Sequence, residues 1–393
     1  MKIMSINCGS SSLKFSLFDM QKDEVIASGL FERIGIEGSC YTIKYNGEKI
    51  KEEISMENHT KAVEILLEKL ISLEIISSLE EIDGVGHRIV HGGIKCKESM
   101  LVDDKMIEYI ESIKDFAPLH NPAHALGIRA FKEVLPKVPM VVVFDTAFHQ
   151  SMDPVSYLYA VPYEWYEKYG VRKYGFHGTS HRYITKKISE TLLRDDLKII
   201  SCHLGNGGSV TAIKDGKCVD TSMGFTPLAG IVMGTRSGDV DPSIVPYVME
   251  KAGLNASEVV DALNKKSGYL GLSGKYSDSR DIEDGCKEGD PKCILTQEKY
   301  IKSVVGYIAN YYVLLGGADV ICFAGGIGEN GIDIRMQIVE KLACLGIKID
   351  VERNNVRGKL QKISSDDSSV LLYVVPTDEE LMIAKDTLAL INR

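Results

Sequence analysis

The sequence predicts an α/β protein of two related lobes, and three observations carry that prediction. The first is a strand, glycine turn, strand unit over residues 1–19, where Ile3, Ile6, Leu13, Phe15 and Leu17 flank the polar run from Asn7 to Ser12. The second is a repeat of that unit at Ile200–Asp215, which aligns without a gap: Ser5 with Ser201, Gly9 with Gly205, Asp19 with Asp215 and Leu17 with Ile213. The third is that each half also carries a buried strand, the apolar run Pro139–Phe144 in one and Asp319–Ala324 in the other, with helical periodicity around it. A duplication at half the chain length predicts two α/β lobes, each presenting one glycine turn to a shared cleft. A chain of 393 residues is too long for one core and fits two.

In chain order, strands continue from the first hairpin to about Lys51, and apolar spacing then predicts a helix from Lys61 to Leu73. A short buried strand follows at Ile82–Val90, with helices at Lys105–Ile113 and His124–Leu135. The apolar strand ending at Phe144 delivers Asp145-Thr146-Ala147-Phe148-His149 at its carboxyl end, where open α/β sheets hold ligands. The second half repeats the scheme. Hairpins cover Leu197–Val219, helices are expected at Asp241–Lys251, Ala256–Asn264 and Thr296–Leu315, and a strand at Val370–Val375 precedes a last helix at Asp378–Ile391.

Composition narrows the function. A net charge of -9 argues against a nucleic-acid surface, which needs a surplus of Lys and Arg. The 9 cysteines form no C-x-x-C pair and sit in apolar runs (Cys202, Cys322, Cys344), which predicts buried reduced thiols and a cytoplasmic location. No apolar run reaches signal-peptide or membrane-span length, so neither secretion nor a membrane is expected.

Several constellations could carry chemistry. The first turn offers three hydroxyls, free backbone N–H groups, the Asn7 amide and the Lys14 ammonium, which suits a cluster of anionic oxygens, although a plain hairpin also uses Gly and Ser. Arg88, in Gly86-His87-Arg88-Ile89-Val90-His91-Gly92-Gly93, lies within an apolar strand and needs an anionic partner, either a structural carboxylate or a ligand. Arg236, in Gly234-Thr235-Arg236-Ser237-Gly238-Asp239, sits in a loop too polar for core; two such arginines suit carboxylate and phosphoryl oxygens. In Gly175-Phe176-His177-Gly178-Thr179-Ser180-His181 a zinc pair is disfavoured, because Gly178 interrupts the i, i+4 spacing and no third ligand is near. His181 reads as structural and His177 as a donor to developing charge. Gly326, Gly328 and Gly331 satisfy G-x-G-x-x-G, with Asp350 about 20 residues on, so a dinucleotide turn competes with an adenosine site; too little chain follows for a full Rossmann unit. A P-loop is excluded, since G-x-x-x-x-G-K-[ST] occurs nowhere.

Taken together, these segments resemble the acetokinase family, the acetate kinases, of the sugar kinase, actin and heat-shock chaperone ATPase superfamily. The resemblance spans essentially the whole chain, from the Asn7–Lys14 turn through Gly86–Gly93, Phe144–His149, Gly175–His181, His203–Gly207, Gly234–Asp239 and Gly325–Asn330. It implies duplicated ribonuclease H-like (actin-like ATPase) lobes around a central nucleotide cleft that closes on nucleotide, residues 1–148 with 381–393 forming one lobe and 149–380 the other. It implies reversible transfer of the ATP γ-phosphoryl group to acetate, giving acetyl phosphate and ADP, in a cytoplasmic homodimer that uses Mg²⁺, or Mn²⁺ in its place.

The resemblance also assigns residues. Arg88 would hold the acid's carboxylate, Asp145 would position an arginine or the metal, and His177 and Arg236 would stabilise the transition state. Asn7 and Glu379 would serve the metal and Lys14 would contact ATP. His203, Leu204, Gly205, Asn206 and Gly207 would line the phosphates. Asp278, Ser279 and Arg280, with Gly326, Ile327, Gly328, Glu329 and Asn330, would hold the rest of the nucleotide, so the glycine motif reads as an adenosine site. Val90, Leu119, Phe176 and Pro227 would enclose the methyl group. Propionate and butyrate kinases share nearly all these motifs and stay open as alternatives; a nucleotide-sensing regulator of the same fold would not need Arg88 with an apolar pocket.

Overall fold

The computed structural model describes residues 1–118 and 120–392. They form two compact units, residues 1–147 with those from 378 onward, and residues 148–377.

Unit 1 is built on an eight-stranded sheet: β1 (Lys2–Gly9), β2 (Ser12–Asp19), β3 (Glu24–Glu32), β4 (Cys40–Tyr45), β5 (Glu48–Glu53), β6 (Ile82–Ile89), β7 (Met100–Leu101) and β8 (Met140–Phe144). Their order is β5-β4-β3-β2-β1-β6-β8-β7. The hairpin strands are antiparallel, while β6 runs parallel to β1 and to β8. One face (Met4, Ile6, Cys8, Val85) packs under the helices His59–Ser72 and Asn121–Val134. The Asn58 carboxamide caps the first of these, accepting from the Lys61 N–H at 2.9 Å. The other face receives the last helix, Glu379–Ile391, whose Ile383 packs on Val141 and Val143. Gly86 makes that approach possible: a Cβ there would lie 2.3 Å from Thr387 Oγ1 and 2.6 Å from Ile383 Cγ2.

Unit 2 repeats the plan with β9 (Lys198–Leu204), β10 (Gly208–Lys214), β11 (Lys217–Thr221), β12 (Val320–Ala324), β13 (Gln361–Lys362) and β14 (Leu371–Val374), ordered β11-β10-β9-β12-β14-β13. Here too a three-stranded antiparallel meander leads into two parallel strands. The sequence β3-β2-β1-β6-β8 therefore has its counterpart in β11-β10-β9-β12-β14, which is the expected duplication. The helix Pro291–Leu314 covers one face through Tyr300, Val304 and Ile308, and Gly178–Leu192 covers the other through Ile184 and Ile188.

Four expectations need correction. Leu204 pairs with Gly208, whereas Gly9 pairs with Ser12, so the second turn holds one residue more than the first despite the gapless alignment. The long helix starts at Pro291, earlier than its apolar pattern, because Pro at the first position and the Asp290 carboxylate on the N–H groups of Lys292 and Cys293 begin it. The helix expected from Asp241 begins at Ile244, since the Asp241 carboxylate accepts from the Ser243 N–H in a preceding turn. Cys344 is exposed, in a short surface turn at Ala343–Leu345, while Cys202 and Cys322 are buried as expected.

Candidate active site

In unit 1 the carboxyl ends of the parallel strands gather charge. Arg88, one residue before the end of β6, donates from Nη2 to Asp145 at 2.7 Å and from Nε at 3.0 and 3.2 Å, a bidentate pair just beyond β8. Asp145 is buried and the Arg88 side chain is about a quarter exposed. The Asp145 carboxylate raises the guanidinium's already high pKa, so Arg88 stays charged. Two residues into the chain's return, Glu379 has its carboxyl pushed above the usual range by burial, an effect the Arg88 charge opposes and the Asp145 charge reinforces. Its Oε2 is buried without a hydrogen-bond partner among the described residues. Asn7 and Lys14 face each other as a cross-strand pair of the first hairpin, and the Lys14 ammonium is paired with Glu380.

In unit 2 imidazoles and hydroxyls replace carboxylates. His177 has a left-handed backbone (φ 58°) at the mouth of the helix Gly178–Leu192, so its side chain leaves the helix axis. That helix was not foreseen, and it puts His181 on its first turn. The rings of His177 and His203 stack with centroids 4.3 Å apart, and His203 Nδ1 lies 2.7 Å from Ser180 Oγ, which is 2.7 Å from Thr377 Oγ1. His149 donates through Nε2 to the Phe176 carbonyl at 2.8 Å, and burial lowers its pKa to about 4. Arg236 Nη1 donates to the Pro227 carbonyl at 2.9 Å; burial lowers its pKa, and no carboxylate pairs with it among the described residues. A Cβ on Gly207 would lie 3.1 Å from Arg236 Nη2 and 3.6 Å from His177 Nε2, so the second glycine turn, Arg236 and His177 converge on one spot.

Beside that spot opens a cavity of about 590 Å³ lined by Gly205, Asn206, Asp278, Ser279, Arg280, Gly326, Ile327 and Asn330, all expected, and by Tyr269, Glu283 and Arg357, which were not. The glycine motif is itself a short helix, Gly325–Asn330, after β12, and the Glu329 carboxylate accepts from the N–H groups of Gly325 and Thr377. Asp350 caps a separate short helix, so nothing relates it to a dinucleotide turn. Arg335 supports the floor. Fully buried, it donates to the carbonyls of Gly328, Asn354 and Val356 and to the Asn354 amide, each at 2.8 Å. Of the apolar set, Val90 lies in unit 1, Phe176 and Pro227 lie in unit 2, and Leu119 falls outside the described residues. Ser180 and Ser201 stand in the sequence only as motif and repeat positions, and Ser209, Glu283, Arg335 and Arg357 are not singled out by it, because lone serines and charged residues carry no distinct signal in sequence.

The duplicated strand order, with a polar glycine turn in each copy, defines a two-lobe ATPase fold of the actin-like class. Comparison with known proteins places the chain within it. The chain belongs to the acetokinase family, whose sequence model matches residues 2–385. It is 53% identical over 393 residues to the acetate kinase of Anoxybacillus flavithermus, covering 100% of this chain and 99% of that one. Among solved structures it is similar to the acetate kinase of Porphyromonas gingivalis (TM-score 0.96, 45% identity, 100% of both chains) and to a propionate kinase from Francisella tularensis (TM-score 0.94, 41% identity, 99% of both).

Proposed function

We propose that the chain is an acetate kinase, moving the γ-phosphoryl group of ATP to acetate to give acetyl phosphate and ADP, and back. The observation that carries this reading is full-length identity above half to acetate kinases, joined to a cavity lined by eight of the residues expected to bind nucleotide. Acetate, with a pKa near 4 like other carboxylic acids, is ionised at neutral pH, so the attacking oxygen needs no general base. Asp145 accordingly serves to hold Arg88, to which it is paired.

The difficulty is to bring one anion against another. Arg88 takes the acid's carboxylate. Arg236 and the Nε2 edge of His177, both at Gly207, take charge developing on the transferring group, where positioning and electrostatics dominate. Asn206, Gly205 and the Asp278–Arg280 and Gly326–Asn330 segments hold the nucleotide. Phe176 and Pro227 of unit 2 would border the methyl group, and one more methylene changes discrimination by only about 1–3 kcal/mol. Propionate therefore stands as the second substrate, favoured by the likeness to a propionate kinase.

The residues of unit 1 fit a magnesium ion. Glu379 offers a buried, unpartnered carboxylate oxygen and Asn7 an amide oxygen, and Mg²⁺ takes few protein ligands, filling its shell with water and phosphate. When bound it would neutralise phosphate charge. A homodimer is supported by the helix Ile244–Ala252, which carries Ile244, Val245, Tyr247, Val248 and Met249 yet buries none of them. A cytoplasmic setting agrees with nine cysteines free of disulfides, and no helix among the described residues is long and apolar enough to cross a membrane.

The test is ATP- and Mg²⁺-dependent acyl phosphate formation, trapped as the hydroxamate, with acetate, propionate and butyrate compared. Acetate is expected to give the highest kcat/KM, propionate less and butyrate least. Preference for propionate would keep the mechanism and change the substrate, and no product from any acid would refute the reading.

A further inference from the structure

Behind His177 runs a line of buried groups that the reaction as described does not use. Ser201 Oγ lies 2.8 Å from His181 Nδ1, His181 Nε2 lies 2.7 Å from Ser209 Oγ, and Ser209 Oγ lies 3.0 Å from His177 Nδ1. Ser201, His181 and Ser209 are all fully buried. A hydroxyl and a neutral imidazole each carry one mobile proton, so three successive contacts can be satisfied in only two ways. Either every proton points towards His177 or every proton points away.

The far end of the line separates the two. If protons point away, His181 donates from Nδ1 to Ser201, and the Ser201 O–H must find another acceptor; among the described residues it has none. If they point towards His177, Ser201 donates to His181 Nδ1, His181 Nε2–H donates to Ser209, and Ser209 donates to His177 Nδ1. No hydroxyl is then left over. The single proton of neutral His177 must sit on Nε2, the atom beside Gly207 and Arg236. An Nε2 lone pair in that place would repel phosphoryl oxygens, whereas an N–H attracts them.

We propose that Ser201, His181 and Ser209 are positioning residues that hold His177 as its neutral Nε2–H tautomer, making it a hydrogen-bond donor to the transferring phosphoryl group without a proton drawn from solvent. The proposal rests on the reading that His177 meets that group. Burial supports it by pushing the His181 pKa well below its usual value, which keeps the middle of the line neutral at working pH. Among the described residues, the charged or titratable groups packed against the line include Arg236 beside His177, His203 stacked on it, His149 edge-on to His181 with centroids 5.8 Å apart, and Cys322, the cross-strand neighbour of Ser201. Arg236 keeps its charge throughout, and His203 and His149 are common to every variant below.

The experiment begins with the unaltered, full-length protein labelled with ¹⁵N-histidine, in which the ring-nitrogen signals of His177 are assigned by difference against His177→Gln. A protonated Nε2 and a bare Nδ1 are expected between pH 8 and 6.5; a protonated Nδ1 with bare Nε2 overturns the proposal. Kinetics supply the second arm. Removing the donor in Ser209→Ala frees the tautomers to mix, so kcat at pH 8 should fall roughly three- to tenfold while both KM values stay within about twofold. The deficit should then shrink as pH falls and imidazolium restores the Nε2–H, and Ser209→Thr should recover most of the rate. A deficit that stays constant with pH overturns the proposal. Should Ser209→Ala not fold, the spectrum of the unaltered protein decides alone. Full activity in His177→Ala would instead remove the catalytic reading and leave the tautomer result intact.

Discussion

In unit 1 the arginine near the end of β6, Arg88, is locked to Asp145 by two short hydrogen bonds, and Lys14 is paired with Glu380. In unit 2 Arg236 donates to a backbone carbonyl, and the groups near it are imidazoles and hydroxyls rather than carboxylates. The strand order is the same in both, so topology does not account for the difference; the side chains at the carboxyl ends of the strands do. A paired arginine is held in place before substrate arrives and keeps a fixed geometry. An unpaired, buried one leaves its charge uncompensated by any carboxylate among the described residues. The lesson is that duplicated scaffolds can keep one strand order while one half pairs its buried charge internally and the other does not.

Removing each arginine should separate these behaviours, and this is the largest expected effect. Arg236→Ala should lower kcat by roughly 10²–10³, the scale of losing one preorganised donor to developing charge, while the melting temperature changes little, since no ion pair is broken. Arg88→Ala should also cripple turnover, but it strands the buried Asp145 carboxylate. Stability should fall towards the lower part of the roughly 3–5 kcal/mol seen when a buried pair loses one partner, because Arg88 is partly exposed. Calorimetry alongside steady-state kinetics reads both. Equal loss of stability in the two variants would erase the contrast.

Acid should act on the same contrast through buried histidines. Burial holds His87, His91 and His124 of unit 1 at about 3, against a usual 6.5, and His149 of unit 2 at about 4. These bases are neutral when folded, and both states are neutral above 6.5, so there they add no pH dependence. Below 6.5 the unfolded chain takes up protons that the folded chain refuses. Stability therefore falls as pH drops from 6.5 towards 3–4, by at most about 1.4 kcal/mol per pH unit for each group. Replacing His87, which packs edge-on against Phe131, by Leu should flatten the fall by one proton. Denaturant midpoints at pH 8 and 5.5 check this; an unchanged slope would mean that His87 does not stay neutral.

Much of this was legible in the chain because alternation and apolar runs report burial directly. The two hairpins, the strands ending at Phe144 and Ala324, and the arginines and histidines on glycine-rich segments could all be read off. The helix Gly178–Leu192 could not: its buried side includes Thr179, Ser180, His181 and Thr185, so hydrogen bonding inside the unit stands in for the apolar stripe that would have announced it. Arg335 escaped for the same reason, being satisfied by carbonyls that only the fold brings to it. The gapless repeat also hid the longer second turn, because one extra loop residue is absorbed by a shift in strand pairing rather than by sequence length.

The smallest effect concerns a glycine whose role depends on what approaches it. Gly207 is crowded by Arg236 and His177, but a Cβ on Gly326 would meet nothing within 4 Å, and its backbone is not left-handed. By the protein's own packing, Gly326→Ala is free, and in a helix alanine is favoured by as much as about 1 kcal/mol, so the melting temperature should hold or rise slightly. Gly326 nevertheless lines the cavity assigned to nucleotide. If adenosine lies against its Cα, the added methyl should raise KM for ATP roughly three- to tenfold, about 0.6–1.4 kcal/mol, with KM for acetate unchanged. An unchanged KM for ATP in a stable variant would move the nucleotide off this wall of the cavity, towards the side formed by Asp278–Arg280. Arg236, held by the Pro227 carbonyl, and His177, both at Gly207, would keep the roles proposed for them in either case, because those proposed roles concern the phosphoryl end.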